Sequence, residues 1–385
     1  MTLLIGNKAI IIYDATGTPI IIEPAAPLVG GKSAYMPTGS GKSVLVPISS
    51  PLLGEKVYIV PSSSGKQIVL SLRAESIYGG LTIFGGYDGS NNKNDIWQSI
   101  DAGVIWRQIT ASAEWSARRG HCVVKTPTSD LLLIGGVGAE YYNDTWISTN
   151  NGATWTRQSA TAGWGARAHH SCCVLSDGSI LLTGGANAFS TGLHDTWRST
   201  DDGVTWVEQS DPSEFNLRNG HNSLLMPDGS CVVIAGGYGT PLYWSDVWRT
   251  VNSGVSWTQI KPNDSTPWSK RIYIASVIKG TKIIMAGGYF YGGLGSNVLN
   301  QVWASSDNGV TWVEQTAAAG WTRRHQHTMV LLNDGSLILS GGGDGESGTN
   351  PRNDVWRSTD DGVTWVEQTA AAGWSARKAH ASILI

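Results

Sequence analysis

A glycine pair closes an apolar run six times along this chain, at Gly85-Gly86, Gly135-Gly136, Gly184-Gly185, Gly236-Gly237, Gly287-Gly288 and Gly341-Gly342. The steps between pairs are 50, 49, 52, 51 and 54 residues. A tryptophan follows each pair, at 97, 146, 197, 248, 303 and 356, and a second comes nine residues later each time. A third aromatic ends each unit: Trp115, Trp164, Phe215, Trp268, Trp321 and Trp374. A period near 50 excludes one undivided core and demands units that bury their faces against each other. Such repetition explains why 385 residues hold 18 tryptophans and 48 glycines but only four phenylalanines.

Within a unit the pattern predicts four short strands. Residues 170–175 form one, and the Asp177-Gly178-Ser179 turn, with glycine where φ is positive, folds it onto 180–184. A longer loop leads to a third strand at Asp195-Thr196-Trp197-Arg198, and the segment 199–206 turns into the fourth. Four strands in about 50 residues, six times over, predict an all-β chain whose main body is a six-bladed β-propeller. The units resemble kelch repeats in the double glycine that ends the second strand, the downstream aromatics and the arginine before the next first strand. The turn S-x-D-x-G-x-T-W resembles the Asp-box of sialidases; it is complete at 199–206, 305–312 and 358–365 and altered at 99–106, 148–155 and 250–257. The resemblance covers 79–385 and implies a ring closed by the C-terminal segment His380-Ala381-Ser382-Ile383-Leu384-Ile385, a first strand completing the first blade.

Residues 1–70 keep a different period. Lys8, Lys32 and Lys56 are 24 apart, as are Gly17, Gly41 and Gly65, and each unit reads as a β-hairpin, with 9–13 against 19–22 in the first. Residues 71–78 are a linker. Isolated hairpins are marginal in water, so the three read as an attachment or oligomerisation module docked on a carrier or structural protein, or in a homo-oligomer. They resemble virion or tail attachment segments. The stretch Pro37-Thr38-Gly39-Ser40-Gly41-Lys42-Ser43 imitates a phosphate loop but has Met36 where that motif needs its first glycine, so it reads as a hairpin turn.

Net charge of −3 gives no footprint for nucleic acid, and no apolar run is long enough to insert in a membrane or to act as an export signal. The expected setting is therefore a virion or extracellular assembly reached after cytoplasmic synthesis. Cys122, Cys172, Cys173 and Cys231 show no metal-ligand spacing, and neither metal nor cofactor is expected. Asp101, Asp201, Asp307 and Asp360 are assigned structural roles inside their own turns. Arg118, Arg167, Arg218, Arg271, Arg324 and Arg377 each follow the third aromatic by three residues, a structural pattern rather than a sialidase-like triad. His121, His170, His221, His327 and His380, with Ile274 as the sixth, stand at the entry to the innermost strands, where imidazoles could ring the central channel.

The loops between second and third strands vary most. They and their flanks collect Tyr87, Tyr141, Tyr142, Phe189, Tyr238, Tyr243, Trp244, Tyr289, Phe290 and Tyr291 among Asn, Gly and Ser, a composition suited to sugars or a protein partner. The expected function is non-enzymatic adhesion: a tail, fibre or spike component binding a host surface glycan or protein receptor. A sialidase-like hydrolase on the same face and an intracellular kelch-type scaffold are the alternatives.

Overall fold

The computed structural model describes the main chain of six N-terminal strands, and then residues 78–385 except 189–190, 211–213, 238–242, 291–297 and 346–349. By contacts the chain divides into Met1–Ser76 and Ile77–Ile385.

In the first unit Ile10–Tyr13 pairs with Pro19–Ile22, Lys32–Pro37 with Ser43–Ile48, and Lys56–Pro61 with Gln67–Leu72, all antiparallel. Lys32 and Lys56 open their strands. Lys8, Gly17, Gly41 and Gly65 lie outside the described residues.

The second unit is a propeller of six four-stranded antiparallel blades, with no helix among its described residues. Blade 1 is built from Leu81–Tyr87, Asn92–Ser99 and Arg107–Thr110, and its innermost strand is the C-terminal Ala381–Leu384. The pairs Ala381–Phe84 and Leu384–Leu81 set the register that closes the ring. Blades 2, 3, 4, 5 and 6 begin at Cys122, Ser171, Asn222, Ala275 and Thr328. The second strands are buried along all or nearly all of their length, Leu131–Val137 throughout, as a strand covered on both faces must be. Hydrophobic clusters lie between blades rather than within them: Phe84 and Ile96 of blade 1 meet Val123, Leu131 and Leu133 of blade 2, and six such clusters complete the circle. Each third aromatic takes the box tryptophan edge-on, as Trp115 takes Trp155 at 6.3 Å between centroids.

A hydrogen-bonded belt fixes the blade number. The N–H of Gly120 donates to Ala379, His169 to Gly120, Gly220 to His169, Tyr273 to Gly220, Gln326 to Tyr273 and Ala379 to Gln326, at 2.7–3.1 Å. Each residue precedes the histidine (or Ile274) that enters an innermost strand, and all six have φ between 52° and 61°. Only two are glycines, so four side chains are held in left-handed backbone by the closed circuit.

One glycine pair is corrected by the structure. In blade 4 the residues playing the two glycine parts are Ala235 and Gly236, not Gly236 and Gly237: Ala235 has φ 59°, and its carbonyl takes the Arg218 guanidinium as Gly135 takes that of Arg118. The reason lies across the interface. A Cβ on the first glycine of other pairs would meet the next blade's imidazole, at 3.0 Å from His170 Cε1 for Gly135 and 2.7 Å from His327 Cε1 for Gly287. After blade 4 the facing residue is Ile274, and Ala235 and Ile274 pack in one cluster. The exceptional alanine faces the exceptional isoleucine.

Candidate functional site

Antiparallel alternation places the loops between second and third strands on the same face as the blade-to-blade connections, with the hairpin turns and boxes on the other. The first of these faces surrounds one mouth of the central channel.

The arginines below this face serve the scaffold. Arg118 is fully buried; its guanidinium donates to both carboxylate oxygens of Asp144, at 2.6 and 3.0 Å, and to the Gly135 carbonyl at 2.9 Å. Its backbone meanwhile bonds Lys93 and Gly86 of the preceding blade. The clamp recurs as Arg167–Asp195, Arg218–Asp246, Arg324–Asp354 and Arg377–Asp95, and each aspartate also accepts the indole N–H two residues on. Burial opposes the charge on Asp195, but the Arg167 hydrogen bonds and charge outweigh it and hold the carboxyl below its ordinary 3.8. Blade 5 has Gln301 at this position: Arg271 reaches its amide oxygen at 3.1 Å, Trp303 Nε1 has no partner, and burial lowers the guanidinium to about 9. Arginines committed in this way do not converge on a carboxylate ligand.

On the other face the box aspartates bond inside their turns. Asp201 Oδ1 accepts the Thr205 N–H at 2.9 Å and Oδ2 the Thr205 hydroxyl at 2.6 Å; Asp307 and Asp360 repeat this with Thr311 and Thr364, and Asp101 accepts the Ile105 N–H. This face also exposes Val104, Val204, Val251, Val255, Val310 and Val363, an apolar set that strand patterning did not signal.

The aromatic candidates separate by position. Tyr142 lies under Arg118, with the guanidinium carbon 4.1 Å from its ring centre. The Trp244 indole donates to the Leu217 carbonyl at 3.1 Å, its backbone bridges Gly236 and Arg271, and Phe290 pairs with Arg271. These three are woven into blade junctions. Phe189, Tyr238 and Tyr291 lie outside the described residues. Tyr87, Tyr141, Tyr243 and Tyr289 remain half-buried on the open face.

Two of them join a string of rings along the mouth that sequence reading did not assemble. Tyr243 meets Tyr289 at 6.1 Å, Tyr289 meets His325 at 5.6 Å, His325 stacks on Tyr273 at 5.9 Å, and Tyr273 meets His169 at 5.0 Å. Tyr273 and His169 are belt residues, and their position just before the inner-strand entry was the available signal. Across the mouth Arg119 lies 4.7 Å over the Tyr87 ring while donating to Asn92 Oδ1, and the Lys378 ammonium is 5.9 Å from the same ring. Burial, then the charge of Arg119, lowers His169 to about 3; burial lowers His325 to about 4. Both imidazoles are neutral at pH 7, and Arg119 and Lys378 carry the local charge.

The inner-strand histidines are turned into the blade interfaces. His121, His170, His221, His327 and His380 are 4–5% exposed, and the rings of His221 and His380 bond the Thr183 and Thr328 hydroxyls at 2.9 and 3.0 Å. They do not converge as ligands of one ion: the single metal-competent group among the described residues is Cys122, His170 and Cys172.

A model of the KLHDC2/KLHL20/DRC7 Kelch-repeats domain matches residues 71–288, more than half of the chain. The chain belongs to the kelch-repeat family. No curated protein matches it. The kelch β-propeller fold suggests a protein-interaction scaffold, and its family is generally non-enzymatic. The geometry repeated from blade to blade here, namely glycine pair, clamp and inner histidine, is spent on blade joining.

Proposed function

We propose that this kelch propeller is a non-enzymatic recognition protein that grips a surface glycan or protein receptor with the channel-mouth face. The observation that carries the reading is the ring string Tyr243–Tyr289–His325–Tyr273–His169 beside Arg119 and Lys378. Aromatic plates give apolar area to sugar rings or side chains, and the two cations complement acidic groups. Carriage on a virion tail, fibre or spike through residues 1–70 completes the proposal. Its support is the 24-residue hairpin repeat and the near-identical tracts at 205–209, 311–315 and 364–368, which read as recent duplication of a surface module.

A broad glycan array, read for retained protein and for loss of terminal sugars, tests the binding half. Retention without sugar loss, abolished in Tyr289→Ala, is the expected result. Turnover at any spot would overturn the non-enzymatic reading. Light scattering on the full chain tests the carriage half: an oligomer is expected, and a strict monomer refutes self-assembly through residues 1–70.

A further inference from the structure

The four cysteines are far apart in sequence yet meet in two pairs at consecutive blade interfaces. Cys172 and Cys173 are neighbours on the inner strand Ser171–Val174, so alternation points them to opposite sides. Cys173 faces blade 4, its sulfur 3.2 Å from Cys231 Sγ. Cys172 faces blade 2, where it packs with Cys122 at the edge of one cluster.

We propose that Cys122, Cys172 and His170 bind one thiophilic d¹⁰ cation, Zn²⁺, between blades 2 and 3. One ligand atom from each of the three lies within 4.8 Å of the others. Zinc bonds of about 2.3 Å to sulfur and 2.0–2.1 Å to nitrogen bring such donors to about 3.5–3.8 Å, within reach of small side-chain rotations. A second observation points the same way. His170 is 5% exposed and neither of its ring nitrogens has a hydrogen-bond partner. The same is true of His121 and His327, while His221 and His380 each bond a hydroxyl, but of the three unpartnered rings His170 is the one grouped with two thiols. A buried imidazole with a free lone pair costs stability unless something coordinates it.

The repeat supports the assignment by contrast. The residue after the inner histidine is Cys122 in blade 2 but Ser171, Asn222, Thr328 and Ala381 after the other histidines. The second after it is Cys172 in blade 3 but Val123, Ser223, Met329 and Ser382 elsewhere. Of the two interfaces flanked by thiols, the one between blades 2 and 3 is the one where, among the described residues, a histidine stands within ligand distance of both sulfurs. Two thiolates and a neutral imidazole make a soft donor set that selects Zn²⁺ over Mg²⁺ or Ca²⁺. Binding forms two Zn–S bonds and one Zn–N bond and releases the two thiol protons to solvent; no electron changes hands. Cys122 and Cys172 keep partial exposure, which gives the ion a path in and leaves its coordination to be completed by water.

The test uses the full chain, fully reduced and metal-stripped, titrated with Co²⁺ as the probe and then with Zn²⁺. The expected result is one equivalent of Co²⁺ with a thiolate charge-transfer band in the near ultraviolet, bleached as Zn²⁺ displaces it. Cys122→Ser and Cys172→Ser should each weaken binding by more than the roughly 10–100-fold that loss of an outer-shell partner costs. His170→Asn should do the same, and Cys173→Ser should leave binding unchanged. Near-ultraviolet dichroism of the tryptophans confirms that each variant keeps its packing. Absence of Co²⁺ and Zn²⁺ uptake at micromolar concentration by the folded, reduced chain overturns the proposal. So does uptake that survives Cys122→Ser and is lost in Cys173→Ser.

Discussion

Replacing Asp195 by alanine removes one arginine clamp and leaves the rest of the ring in place. In the native protein Arg167 donates to both Asp195 oxygens at 2.6 Å, and Trp197 Nε1 donates to one of them at 2.8 Å. The Arg167 side chain is 1% exposed and that of Asp195 13%, so water cannot take the carboxylate's place without opening the blade. Breaking such a buried pair from one side costs about 3–5 kcal/mol, mostly the penalty of the stranded charge. With unfolding entropy of about 2.1 cal/mol/K per residue, a unit of this size carries about 0.65 kcal/mol/K. The expected fall in the melting temperature is therefore about 5–8 °C by differential scanning calorimetry at pH 7. The sign with pH follows from linkage. Asp195 titrates below its ordinary 3.8 in the folded state, so the clamp's contribution is present above that value and is lost as pH falls through the folded pKa. The gap between wild type and variant should hold from pH 7 to 5 and shrink below pH 4. A variant melting within about 1 °C of wild type at pH 7, well under the loss expected of a buried pair, would refute the clamp's energetic role.

Three further outcomes follow from the same geometry. Gln301→Asp supplies blade 5 with the carboxylate that Arg271 and Trp303 lack, and should raise the melting temperature by about 2–5 °C, for a gain of about 1–3 kcal/mol in charge-assisted bonds. Ile274→His alone should destabilise by about 1–3 kcal/mol because its ring meets the Ala235 Cβ, and adding Ala235→Gly should recover most of that; a double-mutant cycle in urea measures the coupling. Asp307→Ala removes acceptors of the Thr311 N–H and hydroxyl and should cost about 1–3 kcal/mol in urea while leaving ligand retention unchanged, since the box is on the face away from the channel mouth.

Much of the fold was legible because the same physical problem recurs six times. Glycine pairs, tryptophans nine apart and the terminal strand at 381–384 gave blade number and closure, and the ring does close through Ala381–Leu384 on Leu81–Tyr87. The slip at Ala235 came from reading composition where position decides: an alanine can fill the glycine's part once its neighbour across the interface is Ile274 rather than histidine. The arginines were legible as structural, but their aspartate partners were not, since residues 26 to 30 apart, or 282 apart for Arg377 and Asp95, are joined only when the blade is folded and the ring closed.

The candidate face was legible in its location and less so in its members. Variable loops announce where the open edge of a blade is, and Tyr243 and Tyr289 were found that way. Tyr142 and Trp244 looked equivalent to them in sequence, yet a cation over one ring and a carbonyl at the other's indole tie both into the scaffold. Tyr273, His169 and His325 were missed because they belong to connections rather than loops, and only the backbone belt brings them round the channel. The cysteine group was invisible for a similar reason: its members come together across a blade interface, not within a segment.

The central claim is that recognition belongs to the channel-mouth face. Photo-crosslinking decides between the two faces directly, with a reactive side chain installed at Tyr289 in one sample and at exposed Val310 on the box face in another, each mixed with the receptor or glycan that the array retains. The account predicts ligand captured from position 289, competed by free ligand, and none from 310. Capture from 310 with none from 289 would contradict it and transfer the site to the exposed valines.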